Sequence, residues 1–418
     1  MDRIKLREMF ALNSYWIGLS FMWNSLHVII LPAILLHLIP DRQKNTYLGL
    51  LTMVGLLIAM VVQPISGAIS DRWRSRWGKR RPLILLGTAG DMLFLALLGW
   101  SGGLGWLAVG YIGLQLSSNI AHGPAQGLLP DRVPEKQLGQ ASGIKNLMDM
   151  LGLVISSLFM GRMLKPETRH PIGEVGFIAG VLVLGMLITI FGTRETPTDS
   201  RDLQRPLQST SARIPLDLPK SYLWLIVSRF LFLSAVYGIQ TFAQYYIRDV
   251  LAVPNPIKLT GDLLAAITLA LIFFALLAGW LGDRIGHIFV LVAASMIGSF
   301  GCLLLLSART PATLLLFGGI VGVGIGLFIT ANWALANKYA PPEAAGRFLG
   351  LTNLATAGAG VFGRLEGPVI DFLNNLRPGN WWGYSALFIF GAILMLVSAG
   401  FLRQVTYQKT MEAAAKIS

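Results

Sequence analysis

Two aspartates and one arginine interrupt long apolar runs of this sequence. Asp91 and Asp149 each lie well inside such a run, and Arg229 lies inside a third. A charged side chain at the centre of a membrane span costs roughly 2.5–3.5 kcal/mol on insertion scales, so each requires a compensating role. We predict that Asp91 and Asp149 bind a proton or cation, with Arg229 as their counter-ion. Each has an alternative role. Asp91 would form a hydrogen bond between helices, and Asp149 would form an ion pair with Lys145. Arg229 would extend its side chain to the membrane surface.

Uncharged polar and aromatic side chains form a second set, in three other apolar runs and in the run that holds Arg229. Asn and Gln can exchange hydrogen bonds with hydroxyl groups, and an aromatic face can pack a sugar ring. The set therefore predicts a cavity for a neutral polyhydroxylated solute, with interhelical hydrogen bonding as the alternative for each member. Its members are Trp23, Asn24, His27, Gln115, Asn119, Gln126, Tyr237, Gln240, Gln244, Asn332 and Trp333.

The elements that position these residues are predicted to be membrane-spanning helices. Of 418 residues, 54% are hydrophobic and 13% charged, and the mean hydropathy is +0.61, a balance foreign to soluble domains of this length. A helical span needs about 20 mostly apolar residues. Runs of that length predict an all-α integral membrane protein with twelve spans, numbered 1 to 12: 13–38, 46–69, 83–101, 104–128, 141–163, 173–193, 222–247, 259–281, 288–307, 312–337, 348–373 and 382–403.

The net charge of +13 does not indicate nucleic-acid binding, because most Lys and Arg residues lie in alternate connections between spans. This asymmetry follows the positive-inside rule and predicts that both termini are cytoplasmic, in a plasma or bacterial inner membrane. The sequence has neither a phosphate-binding loop ending in Lys-Ser/Thr nor a His/Cys cluster with metal-ligand spacing. We therefore expect no enzyme activity, no cofactor and no metal site.

The chain is predicted to consist of two similar halves. Residues 194–221 are the one long polar interruption and are interpreted as a cytoplasmic linker between a half at 1–193 and a half at 222–418. Six spans precede the linker and six follow it. Two related halves with a substrate site between them are typical of alternating-access transporters.

A repeated loop motif supports this division. Its first copy follows span 2 and its shorter second copy follows span 8. The pattern resembles the cytoplasmic loops of major facilitator superfamily transporters, and the resemblance implies twelve helices, a cavity lined by spans 1, 4, 7 and 10, and a cytoplasmic gate at the motif. The gate candidates are Gly67, Asp71, Arg72, Gly78, Arg80, Gly279, Asp283 and Arg284.

Two longer stretches narrow the resemblance. The loop "SDRWRSRWGKRRP" at 70–82 resembles the glycoside–pentoside–hexuronide:cation and sucrose:proton symporters. The segment from Asn119 to Asp131, "NIAHGPAQGLLPD", is similar to helix 4 of the sucrose carriers, although Gln126 stands where they have an arginine. This resemblance implies proton- or cation-coupled symport of a sugar or glycoside by a monomer.

Two other functions remain open at this stage. One is export of amphipathic molecules or lipids by the same fold. The other is a non-transporting assembly factor or receptor.

The resemblance also implies a role for the motif aspartates. Asp71 would contact the start of span 11 near Gly346 and Arg347, and Asp283 would contact the start of span 5 near Gly139. A helix N-terminus carries unpaired N–H groups and a partial positive charge. We expect each aspartate to latch the cytoplasmic side closed and so to stabilise the outward-open state.

Accessibility labelling tests the predicted orientation. Single cysteines at Ser75 and Ser209 should not react with an impermeant thiol reagent added outside intact cells, because both loops are predicted to be cytoplasmic. Reaction at both positions from outside would mean that the orientation is reversed.

Overall fold

The computed structural model describes residues 3–73, 75–100, 102–193, 219–340 and 345–415, with the side chains of 345–347 and 406–415 excluded. The described chain is helical throughout its spans. The helices are α1 (Leu6–Asn24), α2 (Leu31–Leu38), α3 (Lys44–Arg72), α4 (Arg81–Gly99), α5 (Leu104–Arg132), α6 (Leu138–Met163), α7 (Ile172–Gly192), α8 (Lys220–Tyr246), α9 (Pro256–Ile285), α10 (His287–Leu305), α11 (Pro311–Tyr339), α12 (Ala345–Arg364), α13 (Glu366–Leu376) and α14 (Trp382–Ala415).

Ten helical segments among the described residues are long and apolar enough to cross a membrane. The other two predicted spans are helical as well. Span 4 is α5, which carries several of the predicted cavity residues. Span 11 is divided at Leu365 into α12 and α13, with Arg364 and Glu366 on either side of the division. The predicted all-α fold of twelve spans is confirmed.

Two of the spans contain a π-helical turn. Ser25–Ile30 joins α1 to α2, so that these two helices together form span 1. Ile247–Leu251 extends α8 at the end of span 7. Pro32 lies at the start of α2, directly after the first π turn. Because it has no N–H, it cannot donate to the carbonyl oxygen of Val28, which accepts from the Gln244 amide instead.

The contacts between helices divide the chain into two compact units. Unit 1 comprises 1–25, 54–156 and 169–217, and unit 2 comprises 26–53, 157–168 and 218–418. The predicted halves are each one continuous stretch of the chain, whereas each unit combines several segments. The boundaries of the halves therefore stay a prediction. Most of the predicted linker, 194–218, lies outside the described residues.

Small residues allow the helices of unit 1 to pack closely. A Cβ atom at Gly87 of α4 would collide with the backbone of α5 at Ser117. A Cβ atom at Gly185 of α7 would likewise meet the carbonyl oxygen of Ser14 in α1. Because lipid is as apolar as the side chains, helices in a membrane associate through such close packing and through hydrogen bonds.

In unit 2, the predicted external ends of spans 1 and 2 pack against the second half of the chain. Asp371 of α13 accepts hydrogen bonds from Asn45 Nδ2 at 2.8 Å and from the backbone N and Oγ1 of Thr46, both at 2.7 Å. The buried Lys44 forms an ion pair with Asp249 at 2.6 Å. These charge-assisted contacts fix the start of α3 to α13 and to the end of span 7.

The side chain of Tyr245 connects α8 to the same region. Its hydroxyl donates to the carbonyl oxygen of Pro32 at 3.0 Å, so that α8 is bonded directly to α2. The ring of Tyr245 also lies 5.7 Å from the ammonium group of Lys44. Within unit 2, the external ends of spans 1, 2, 7 and 11 thus form one hydrogen-bonded network.

The two copies of the loop motif share a backbone feature. Gly78 has a φ of 96° and Gly286, after the second copy, has a φ of 94°. This region of conformational space is costly for any residue with a Cβ atom. Each glycine lets the chain turn sharply between two antiparallel spans, which explains why a glycine follows each Asp-Arg pair.

Substitution of Asp371 tests the network in unit 2. Asp371→Ala removes the acceptor of the bonds from Asn45 and Thr46, and bonds to charged groups contribute about 1.5–3 kcal/mol each. We expect the thermal unfolding midpoint of the purified protein to fall by several degrees. Leu376→Ala, an exposed position in the same helix, is the control. Equal midpoints for both variants would contradict the proposed importance of this contact.

Candidate functional site

Asp91 is enclosed within unit 1. Its carboxylate is fully buried, and Oδ1 accepts a hydrogen bond from Ser117 Oγ of α5 at 2.5 Å. Oδ2 has no hydrogen-bond partner among the residues that the structure describes. The hydroxyl of Tyr15 bonds to Thr88 Oγ1 at 2.8 Å, one turn before Asp91 in α4. Asp91 therefore connects α4 to α5, as the interhelical alternative requires, and its coupling role stays a prediction.

Asp149 lies in a different environment, in which its charge is neutralised. Lys145 Nζ is 2.9 Å from Oδ2, one helical turn away in α6. Ser20 of α1 donates to Oδ1 at 2.8 Å. The exposed fractions of the Lys145 and Asp149 side chains are 27% and 22%, so this pair is partly exposed, whereas Asp91 is enclosed.

An aromatic ring covers the other side of this ion pair. The ammonium group of Lys145 lies 3.7 Å from the centre of the Trp16 ring. The edge of His122 approaches the same ring, at 5.1 Å between centres, and His122 Nε2 is 3.4 Å from Gln126 Nε2. We call the residues Trp16, Ser20, His122, Lys145 and Asp149 the aromatic–ionic cluster. It brings together α1, α5 and α6.

Sequence reasoning identified part of this cluster. Asp149 was predicted as a site residue and Lys145 as its partner, whereas Trp16 and Ser20 were missed. The two are four residues apart and share one face of α1, which is a detectable signal. It was overlooked because a tryptophan near the end of a span is also typical of the membrane interface.

Arg229 in unit 2 is held by neutral groups. Its Nε donates to Thr356 Oγ1 and its Nη1 donates to Asn332 Oδ1, each at 2.8 Å. Its guanidinium carbon lies 5.1 Å from the centre of the Trp333 ring. The residue is only 5% exposed, and no carboxylate of the described residues of unit 2 lies within 4 Å of it. This site thus contains a buried positive charge with no ion-pair partner in its unit.

Several predicted cavity residues make hydrogen bonds within the helix packing. Asn24 Nδ2 donates to Ser156 Oγ at 2.7 Å, and Asn119 Nδ2 donates to the carbonyl oxygen of Gln115 at 2.8 Å. Gln115 Nε2 donates to the hydroxyl of Tyr111 at 2.7 Å. These contacts agree with the interhelical alternative, and a role in substrate binding stays a prediction.

The other members of the set differ in exposure. Gln244 is buried, and its amide nitrogen, in the orientation that satisfies both amide atoms, donates to the carbonyl oxygens of Val28 and Ile29. Trp23, His27, Tyr237, Gln240 and Trp333 are half-buried, and Gln126 is exposed. A role for these side chains in substrate binding likewise stays a prediction.

The first loop motif forms a network of ion pairs within unit 1. Arg80 is 2.5 Å from Asp71 and its Nε is 2.8 Å from Asp131, which Lys79 also approaches to 3.0 Å. The guanidinium group of Arg80 fits against Gly127, where a Cβ atom would collide with it. Its Nη1 also donates to Ser70 Oγ at 3.2 Å.

The remaining motif residues contribute less to this network. The carbonyl oxygen of Gly67 accepts from Arg80 Nη1 at 3.4 Å, and Arg72 is exposed. In the second copy, Asp283 is exposed and lies 3.9 Å from His287 Nε2, while Gly279 and Arg284 belong to the last two turns of α9. The predicted partner side chain at Arg347 lies outside the described side chains, so the latch stays a prediction.

Comparison with known proteins assigns the family. The model of the Major Facilitator Superfamily matches residues 9–363. The chain belongs to the major facilitator superfamily. It is thus a multi-pass membrane transporter of small molecules, and the superfamily resemblance inferred from the loop motif is confirmed.

Curated relatives cover almost the full length. The multidrug resistance protein MdtG of Serratia proteamaculans is 24% identical over 400 residues, which are 92% of this chain and 90% of the relative. The multi-drug resistance efflux pump PmrA of Streptococcus pneumoniae is 22% identical over 385 residues, 89% of this chain and 90% of the relative.

Solved structures show the same fold. The transporter PepTSo has a TM-score of 0.75 at 13% identity, with 98% of this chain and 99% of that chain covered. A D-xylose-proton symporter has a TM-score of 0.69 at 15% identity, with 95% and 96% covered. At these identities the likeness concerns the fold alone, and the predicted branch of sugar and glycoside symporters is not established by it.

A double-mutant cycle tests the ion pair of the aromatic–ionic cluster. Removing one member leaves a partly buried charge without compensation, whereas removing both does not. We expect Lys145→Gln and Asp149→Asn each to lower the thermal unfolding midpoint, and the double variant to recover stability, with a coupling energy of about 1 kcal/mol or more.

A more exposed pair provides the control for this cycle. Arg162 and Asp262 are 2.8 Å apart, and the side chain of Arg162 is 50% exposed. Exposed ion pairs contribute about 0.2–1 kcal/mol. Purely additive effects at Lys145 and Asp149 would show that the contact is not energetically coupled.

Proposed function

We propose that this protein exports amphipathic small molecules from the cell by alternating access, in exchange for protons. The observation that carries this proposal is the match of about nine-tenths of the chain to relatives named as multidrug resistance and efflux proteins. The alternative of export therefore has better support than symport of a sugar. We place the protein in the cell membrane, with both termini cytoplasmic.

The geometry of the two candidate sites supports recognition of amphipathic molecules. Each unit pairs a tryptophan ring with a cationic side chain: Trp16 with Lys145, and Trp333 with Arg229. An aromatic face binds apolar groups without strict shape requirements, while a cation recognises a polar or anionic substituent. Such a combination suits compounds that have an apolar body and one polar end.

The contacts of Asp149 favour it over Asp91 as the coupling residue. Asp149 is partly exposed, whereas the carboxylate of Asp91 is enclosed. Deprotonated Asp149 would accept hydrogen bonds from the polar end of a substrate, and protonation would remove that charge and release the substrate. Proton and substrate would then occupy the site in alternation, as exchange requires.

Symport of a sugar is the second candidate function. Its support is the set of polar side chains on spans 1, 4, 7 and 10, of which Gln240 and Tyr237 are half-buried. Against it, the amides of Asn24, Asn119 and Gln244 are already bonded within the helix packing. The assembly-factor alternative has no comparable support among the relatives.

Transport by the purified protein in proteoliposomes tests the proposal. With an acidic interior, we expect accumulation of norfloxacin, a fluorescent amphipathic zwitterion, because protons leaving the vesicle would drive its entry. With an acidic exterior, we expect no accumulation of radiolabelled sucrose. Asp149→Asn should abolish uphill accumulation while leaving downhill exchange, and vesicles without protein give the background.

Two outcomes would contradict the proposal. Accumulation of sucrose, with no movement of norfloxacin, would favour the symporter. Uphill transport of norfloxacin by both Asp149→Asn and Asp91→Asn would exclude these residues from coupling.

A further inference from the structure

Arg229 and Asn332 leave a surplus of hydrogen-bond donors in unit 2. A guanidinium group has five N–H groups, and two of those of Arg229 donate, one to Thr356 Oγ1 and one to Asn332 Oδ1. Because Oδ1 of Asn332 accepts from Arg229, its Nδ2 points elsewhere, and this atom has no acceptor among the described residues. The helix packing thus provides more N–H groups here than oxygen atoms to accept from them.

Three helices hold the guanidinium group in place. Arg229 belongs to α8, Asn332 to α11 and Thr356 to α12, and both hydrogen bonds are 2.8 Å long. These bonds fix Nε and Nη1, so that Nη2 is left for another acceptor. A charged group whose orientation is fixed by its neighbours is well suited to recognise a ligand.

The Nη2 atom is less enclosed than the Asn332 amide. Asn332 Nδ2 is one of the buried polar atoms without a partner, and Arg229 Nη2 is not among them. Val236 and Gln240 lie two and three turns along α8 on the same face as Arg229, and both are half-buried, as is Trp333. This face is the route by which a ligand would reach the guanidinium group, while Asn332 holds that group from the enclosed side.

Trp333 provides an apolar surface next to this charge. The centre of its ring lies 5.1 Å from the guanidinium carbon of Arg229. An aromatic ring can pack against the flat apolar body of a ligand whose polar group bonds to the arginine. The two side chains together suit an amphipathic molecule with one end that is rich in hydrogen-bond acceptors.

We infer that Arg229 binds the carboxylate of amphipathic anions that have an aromatic body. A carboxylate has two acceptor oxygens that match the planar N–H groups of a guanidinium. It also supplies the negative charge that no described carboxylate of unit 2 provides within 4 Å of Arg229. The inference rests on the proposed function and names a substrate class for it.

Charge complementarity distinguishes this ligand from other amphipathic molecules. A buried charge without a counter-ion is costly, and a ligand anion offsets that cost. A neutral ligand would pack on Trp333 but leave the charge of Arg229 unpaired, and a cation would be repelled.

Two ligands of the same shape, one charged and one neutral, provide the test. Binding of radiolabelled 1-naphthaleneacetate and of 1-naphthaleneacetamide is measured by equilibrium dialysis at neutral pH. The full chain is held in lipid nanodiscs, and protein-free nanodiscs give the background. The amide differs from the carboxylate in one atom position and carries no charge.

Asn332→Asp is the most informative variant. Its carboxylate keeps the oxygen that accepts from Arg229 and neutralises the guanidinium charge, so the contact between α8 and α11 stays while the attraction for an anion is lost. Arg229→Gln removes the charge itself. Asn337→Asp, at an exposed position of the same helix, is the control for adding a carboxylate. Thermal unfolding midpoints establish that each variant is folded.

We expect the wild-type chain to bind 1-naphthaleneacetate at least tenfold more tightly than 1-naphthaleneacetamide. The dissociation constant of the acetate should rise at least tenfold in Asn332→Asp and in Arg229→Gln, and stay within twofold in Asn337→Asp. The dissociation constant of the acetamide should stay within twofold in all three variants. Equal binding of the two ligands by the wild-type chain, or unchanged binding of the acetate by Asn332→Asp and Arg229→Gln, would overturn the inference.

This binding assay is independent of transport. Proton-driven accumulation of norfloxacin, without preferential binding of the acetate, would overturn this inference and leave the proposed function standing. Preferential binding of the acetate that depends on Arg229, without accumulation of norfloxacin, would support this inference and contradict the proposed function.

Discussion

The neutralisation of charge inside a low-dielectric medium is the constraint on which the rest of this structure depends. An ionised side chain in the bilayer has no water to stabilise it, so the protein must provide a partner. Lys145 is paired with Asp149, Arg80 with Asp71 and Asp131, and Lys44 with Asp249. Arg229 has hydrogen-bond acceptors and an aromatic ring instead.

Ion pairs and cations held by neutral groups differ in whether a net charge remains that could bind a ligand. A complete ion pair holds helices together and changes only when one partner gains or loses a proton. A cation that is held by neutral groups keeps its net charge and remains able to attract an anionic group. Asp91 and Glu366 represent a third case, in which a carboxyl oxygen is buried without a donor. Such groups are where protons or ligands are most able to alter the protein.

Much of the fold could be predicted from the sequence, because apolar run length and loop charge are properties of the chain alone. Asp71 and Gly78 were predicted as gate residues from a local motif, and Asp149 was predicted from its position within a span. Contacts between helices were harder to predict. The ring of Trp16 meets Lys145 only because α1 and α6 are rotated toward each other, and a single sequence contains no record of that rotation.

The π-helical turn at Ser25–Ile30 has a consequence for the register of span 1. A π turn closes its hydrogen bonds from residue i to i+5, so it accommodates one residue more than an α turn. Because the π turn absorbs that residue, deleting one residue there would restore α-helical winding and leave the residues beyond it in their present orientation. The carbonyl oxygen of Pro32 would then still face the Tyr245 hydroxyl, from which it accepts. The same deletion within α1 would instead rotate α2 by about 100°. The π turn is thus the place in span 1 where the chain length can change without altering which face of α2 meets the second half of the chain.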